Sequence, residues 1–167
     1  MAENPYNAIL DKINKDIEKS GFSVMAIASD GESPPFCYTV GLFETYGVPE
    51  ITLVGLRPEM AHMLITDVVD RYIKEHHTLP LGVPVVDIIK NMPAIFLEID
   101  DPINDASMYF VRNYYSDKQT AVPAVQFVWP DADKRFPWEP GFNESMRRYQ
   151  PIYGNTPDKV KPTLHLS

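Results

Sequence analysis

The chain has 167 residues, of which 44% are hydrophobic, and its formal net charge is -8 at pH 7. This length and apolar content are those of one folded domain and exclude a chain that is disordered throughout. An acidic protein repels a phosphate backbone, so we do not expect duplex nucleic acid as a partner. We predict a single domain over residues 1–167, in which 155–167 form a flexible tail.

The cysteine content and the N-terminal sequence concern the cellular compartment. Cys37 is the only cysteine, so an intrachain disulfide is excluded. The first residues lack the basic and apolar regions of a signal peptide, and no apolar run is long enough to span a bilayer. We therefore expect a cytoplasmic protein that has no membrane partner.

The predicted elements alternate between helices and groups of strands. An Asn-Pro start, apolar residues at helical spacing and a closing Ser-Gly predict a first helix that begins at Pro5 and ends at Ser20. A second helix begins at Arg57 and Pro58 and has the clearest stripe, which consists of Ala61, Leu64, Ile65, Val68, Val69, Tyr72 and Ile73. A third helix is predicted over 104–115, and strands over 22–28, 36–41, 50–55, 83–89, 94–99 and 125–129.

This order predicts the α+β class, with a mainly antiparallel sheet, about three flanking helices and an irregular aromatic C-terminal segment. The strand over 83–89 should lie at a sheet edge because Pro84 cannot donate to a ladder. In the strand over 36–41, Tyr38 and Cys37 point to opposite faces, and we expect only one of these faces to lie in the main core.

The segment 124–151 differs in composition from the rest of the chain. Residues 1–123 carry 9 Lys and Arg against 18 Asp and Glu, which gives -9, whereas this segment carries 4 against 4, which gives 0. It also contains both tryptophans, four other aromatic residues and three arginines. Such residues suit a pocket for a planar or anionic ligand, and they equally suit a packed lid over the core.

Two stretches of this sequence resemble a known family. They are FCYTVGLFETYGVPEITLVGL and VWPDADKRFPWEPGF, the latter followed by Gln150-Pro151. On these motifs the chain resembles a bacterial family catalogued as the domain of unknown function four-two-six-two, a resemblance that implies no established activity. Many relatives have a histidine where this chain has Val48. The positions carried over by the resemblance are Tyr38, Thr39, Gly41, Pro49, Glu50, Trp129, Asp131, Phe136, Pro137, Trp138, Gln150 and Pro151.

Several residues have side chains of the types used in catalysis or metal binding. Cys37 has no histidine close to it in sequence and reads as a small buried hydrophobe. Glu59 and His62 have the spacing of a metal-binding pair, but no second pair exists. Asp131 and Asp133 lack the continuation of a calcium loop, and the glycines form no nucleotide-binding signature. We therefore predict neither a metal nor a cofactor.

The sequence leaves three hypotheses on function. The first is a small-molecule binding protein that recognises or sequesters a planar or nucleotide-like anion in a cleft between the segment from Tyr38 to Glu50 and the segment 124–151. The second is a hydrolase or transferase that uses Glu50, Tyr38 or Asp131 for proton transfer at the same cleft, so whether the protein is an enzyme stays open. The third is a homodimeric interaction module. The predicted ligand-binding residues are Tyr38, Thr39, Trp129, Arg135, Trp138, Arg147, Arg148 and Gln150.

Overall fold

The computed structural model describes residues 5–100, 109–116 and 121–157. Residues 104–108 of the predicted third helix, and 158–167 of the predicted tail, lie outside these ranges. The helix Pro58–Val68 runs through a π-helical turn, Val69–Ile73, into the helix Lys74–His76, and a 3-10 helix covers Glu144–Tyr149. The elements are α1 (Pro5–Ser20), β1 (Ser23–Ile27), β2 (Phe36–Val40), α2 (Leu42–Tyr46), β3 (Glu50–Val54), α3 (Pro58–Val68), α4 (Lys74–His76), β4 (Val85–Ile89), β5 (Met92–Glu98), α5 (Tyr109–Tyr115) and β6 (Ala124–Val128).

The described strands form one six-stranded sheet in the order β1-β2-β3-β6-β5-β4. Neighbouring strands are antiparallel except for the central pair, in which β3 and β6 run parallel. The predicted α+β class with a mostly antiparallel sheet is therefore confirmed. Strand β4 lies at an edge of the sheet, as the proline that precedes it predicts.

Helices cover both faces of the sheet. Helix α3 packs on one face, where its apolar stripe joins Cys37 and Phe127 in the largest core cluster. Helices α1 and α5 pack on the opposite face, where Ile13 and Val111 join Tyr38 in a second cluster. Both faces of β2 are therefore covered by helices, and only the Cys37 face belongs to the largest cluster.

The short helix α2 is not among the elements predicted from the sequence. Gly41 and Gly47 bound this helix, with φ of 110° and 75°, in the left-handed region that suits glycine. Five residues are too few to show a periodic pattern, and a helix of one turn is unstable by itself. The amides at its start donate to the side chain of Glu50 at the start of β3, and these contacts stabilise the helix.

The aromatic segment covers the remaining part of the sheet. Phe136 packs on Ile95 and Val128 in a third cluster, together with the half-buried Trp138. After it the chain returns to the sheet, where the amide of Asn155 donates to the carbonyl of Glu98 at 2.8 Å. In the part of the chain that the structure describes, no helix combines the length and the apolar character needed to cross a membrane.

Candidate functional site

The two motif segments meet at the central parallel pair of strands. The register pairs Glu50 with Ala124 at one end and Leu53 with Phe127 towards the other, so Trp129 lies just beyond the end of β3. There the indole nitrogen of Trp129 donates to the carbonyl of Val54 at 2.8 Å. The motifs therefore meet at the Trp129 end of β3, while Glu50 lies at the opposite end, about 13 Å away at the usual rise of a strand.

Glu50 is completely buried and accepts five hydrogen bonds. Its donors come from β2, from the start of α2 and from α5, so one carboxylate joins three elements. A carboxylate at the start of a helix satisfies amides that have no partner within the helix. The donors are Thr39 Oγ1 at 2.8 Å, the amides of Gly41 at 3.0 Å, Leu42 at 3.1 Å and Phe43 at 3.2 Å, and Tyr115 Oη at 2.6 Å.

The titration of this group follows from its burial. Burial raises the pKa of Glu50, and the hydrogen bonds from Tyr115 and Thr39 act in the opposite direction. Burial and the neighbouring carboxylate also raise the pKa of Tyr115, so its hydroxyl remains a donor. Tyr115 in turn accepts from the amide of Glu44 at 3.2 Å. In this geometry the carboxylate holds α2 and α5 against the sheet.

The neighbouring candidates in β2 are buried with Glu50. Tyr38 is 1% exposed and its ring lies 6.1 Å from that of Phe36, in a stacked arrangement. Thr39 Oγ1 also accepts from the amide of Ile51 at 2.8 Å, so its hydroxyl links two strands. Burial and the charge of Glu59 raise the pKa of Cys37 to about 11, which keeps the thiol protonated and agrees with a packing role.

Gln150 holds the aromatic segment against the end of β6. Its side-chain oxygen accepts from the amide of Trp129 at 3.0 Å, and its nitrogen donates to the carbonyl of Trp129 at 2.8 Å. This two-bond pairing copies the ladder of an added strand. Gln126, also buried, accepts from the amides of Tyr153 and Gly154 at 2.7 and 3.1 Å. Both amide side chains thus fix the chain after the sheet.

Asp131 organises the loop that follows Trp129. Its Oδ1 accepts from the amides of Asp133 and Arg135, both at 2.9 Å, and its Oδ2 accepts from the amide of Asn143 at 2.8 Å. Burial acts to raise the pKa of Asp131, but these amides outweigh it and hold the pKa below its usual value. The carboxylate is therefore ionised and is used within its own loop.

The arginines of this segment have partners within it. Arg135 donates to the carbonyl of Gly141 at 3.1 Å. Arg147 pairs with Glu144 at 2.7 Å and lies 5.2 Å from the centre of the Phe142 ring. Arg148 lies 4.9 Å from the ring centre of the neighbouring Tyr149. The structure does not bring these arginines and Tyr38 to one cavity, so the predicted eight-residue site is divided among separate places.

An apolar groove of about 380 Å³ lies beside Trp129, between α3 and the β4–β5 hairpin. This volume is within the range of small-molecule sites. Met60 and Met63 are 40% and 60% exposed, so the groove presents apolar side chains to solvent. The groove is lined by Leu56, Met60, Met63, Leu64, Ile88, Ile89, Lys90, Met92, Trp129, Pro130, Asp131 and Ala132.

Of the residues that line the groove, Trp129 and Asp131 were predicted from the sequence, whereas the methionines and Lys90 were not. One feature of the sequence could have indicated two of the methionines. Met60 and Met63 stand outside the buried stripe of α3, so the helix shows apolar side chains on its polar face. The closure of the groove by the β4–β5 hairpin could not be read from this pattern, because it depends on the strand order.

A second concavity, of about 410 Å³, lies between α1 and α3 and is polar. Its charged side chains pair along their own helices, Lys12 with Asp16 at 2.8 Å and Lys74 with Asp70 at 3.1 Å. His62, which has the spacing of a metal-binding pair with Glu59, lines this concavity. Within the described ranges, no group of three or more His, Cys, Asp or Glu side chains could hold a metal ion.

The fold and this groove define an α+β domain with an apolar concavity next to a motif tryptophan. Comparison with family models matches residues 16–143 to the family described as Domain of unknown function (DUF4262), and the chain belongs to this family. The match includes Glu50, Trp129 and Asp131. Val48 is buried in the same core cluster as the apolar stripe of α3. Searches of the curated proteins and of the solved structures found no match.

Proposed function

We propose that this protein binds a small, planar and largely apolar molecule in the groove between α3 and the β4–β5 hairpin. The observation that carries the proposal is the groove itself, about 380 Å³ of concave surface lined mainly by apolar side chains. A concavity of this size with few polar groups is typical of small-ligand sites.

The side chains of the groove favour an aromatic ligand. Met60, Met63 and Met92 are flexible, and their polarizable sulfur atoms make favourable contacts with ring edges. Trp129 supplies a rigid wall, since its backbone is held by Gln150 and its indole by Val54. One adaptable side and one fixed side suit recognition of a flat molecule.

A fluorescence titration with phenylnaphthylamine, a neutral aromatic probe, tests the proposal. In a Trp138→Phe background Trp129 is the only tryptophan, so energy transfer from Trp129 to the probe reports binding beside it. We expect a dissociation constant of about 10–100 µM for a probe of this size. A matched pair of variants locates the site.

Met63→Lys introduces an ammonium into the groove and should weaken binding about tenfold or more, because a charge next to the bound ring loses hydration. Val86→Lys is the control, because Val86 is 74% exposed and does not line the groove. Both changes affect exposed side chains, so both variants should fold. Absence of probe binding, or equal affinity in both variants, would contradict the proposal.

The hydrolase or transferase hypothesis and the homodimer hypothesis stay predictions. Of the three candidates for proton transfer, Glu50 and Tyr38 are buried in the sheet, and Asp131 lines the groove with both oxygens already accepting amides. Mass spectrometry of small molecules incubated with the protein would detect a product, and native mass spectrometry would detect a dimer.

A further inference from the structure

We infer that the ligand of the groove carries a single negative charge, which Lys90 binds, so the site takes an aromatic monoanion such as an aryl carboxylate. This inference rests on the proposed function, and it adds the charge of the ligand. It is carried by the two charged side chains that line the groove, Lys90 and Asp131.

Asp131 is not available to a cation in the way that a free carboxylate is. Three backbone amides already point at its two oxygens, at 2.8 to 2.9 Å. Their dipoles offset much of the negative charge that the groove would otherwise present. The carboxylate is thus committed to the loop, and its effect on a ligand is reduced.

Lys90 differs from Asp131 in its exposure and in its partners. It lies in the two-residue connection between β4 and β5, next to Asn91, which has a φ of 63°. Its side chain is exposed, and within the described ranges it has no ion-pair partner. A long lysine stem can lie along apolar surface while its ammonium reaches the charged end of a ligand.

The charge that we expect on the ligand follows from the kind of cation that lines the groove. A lysine ammonium is a compact point charge, whereas a phosphate dianion is usually held by several cations or by the fork of an arginine. The three arginines of the neighbouring segment are occupied by Gly141, Glu144 and Tyr149. One ammonium on a protein of net charge -8 therefore fits a monoanion better than a nucleotide.

Three aromatic compounds of similar size separate the contributions of charge and apolar area. Naphthylacetate, naphthylacetamide and naphthylethylamine are an anion, a neutral amide and a cation, and each is titrated in competition with phenylnaphthylamine. At low ionic strength we expect the anion to bind about three- to fivefold more tightly than the amide, and the cation most weakly. Added salt should reduce the difference.

Lys90→Gln should make the anion and the amide bind equally, and leave the affinity for the amide unchanged. Lys134→Gln is the control, since Lys134 is an exposed lysine close in sequence to the groove but not part of its lining. Tightest binding of the cation, or an equal loss of preference in both variants, would overturn the inference while leaving a groove that binds aromatic ligands. Failure of all three compounds and of phenylnaphthylamine would instead overturn the proposed function, and this inference with it.

Discussion

The polar groups at the two ends of strand β3 have different surroundings. At the Glu50 end, five donors surround one buried carboxylate and leave it no exposed surface. At the Trp129 end, hydrogen bonds fix the backbone and the indole, but an open groove remains beside them. The polar atoms of Glu50 are thus used within the fold, whereas the groove that we propose for a ligand lies where polar groups are few.

The substitution with the largest expected effect on the free energy of unfolding is at Glu50. Glu50→Ala should destabilise the protein by roughly 3–5 kcal/mol, because it leaves several buried donors without an acceptor and opens a cavity. Urea unfolding measures the change. Glu59→Ala, at an exposed glutamate in the first turn of α3, is the control and should change the free energy of unfolding by about 0.5 kcal/mol or less. A loss of less than about 1 kcal/mol at Glu50 would show that the network is not the anchor we describe.

The next effect tests the contact between the two motif segments at Gly55. A β-carbon at this position would lie 2.1 Å from the carbonyl oxygen of Tyr149 and 2.9 Å from the Trp129 ring. Gly31 has almost the same backbone, φ of 92° against 93°, but has nothing within 4 Å. Both alanine substitutions incur the cost of a left-handed residue, about 1–2 kcal/mol. Gly55→Ala should therefore destabilise the protein by about 1–3 kcal/mol more than Gly31→Ala, because of overpacking. Thermal unfolding measures both losses, and equal losses would mean that the backbone at Tyr149 moves to accommodate the added methyl group.

The carboxylates at the two ends should titrate with opposite signs. The pKa of Asp131 is lowered in the folded state, so its contribution to stability is present above its unfolded value of about 3.8 and is lost as pH falls through the lower folded pKa. Asp131→Asn should therefore cost about 1–2 kcal/mol at pH 7 and less at pH 3.

Glu50 should behave in the reverse way, because burial raises its pKa. Protonation of Glu50 then favours the folded state, and its contribution declines as pH rises from about 4.5 through the higher folded pKa. Carboxyl NMR titration of the parent protein would show the two directions of shift. A Glu50 resonance that titrates below 4.5 would mean that its five donors outweigh burial.

The elements that could be predicted are those with a long local pattern. The stripe of α3 and the apolar positions of α1 repeat over several turns, so their buried faces follow from the sequence. The edge position of β4 follows from one proline, because a missing donor acts locally. Helix α2 could not be predicted, since the amides at its start are satisfied by the side chain of Glu50, which lies beyond the helix at the start of the next strand.

The candidate site was only partly predictable for the same reason. The composition of 124–151 indicated an unusual segment, and the first hypothesis placed a ligand between this segment and the first motif. Neither could show that Gln150 and Asp131 use their polar atoms on backbone amides, because such contacts depend on the path of an irregular loop. The groove combines residues from α3, the β4–β5 hairpin and this loop, which only the strand order brings together.

The smallest expected effect concerns the arginines. Arg147 is half exposed, and its pairing with Glu144 is an exposed ion pair of the kind that contributes little to stability. Arg147→Gln should leave the free energy of unfolding almost unchanged and the affinity for naphthylacetate unaltered, since Arg147 does not line the groove. Isothermal titration calorimetry at low salt, with Lys90→Gln as the positive control, measures the affinity. A loss at Arg147 as large as that at Lys90 would show that the anion binds on the aromatic segment, as the sequence had indicated, and would remove the contrast between a closed segment and an open groove.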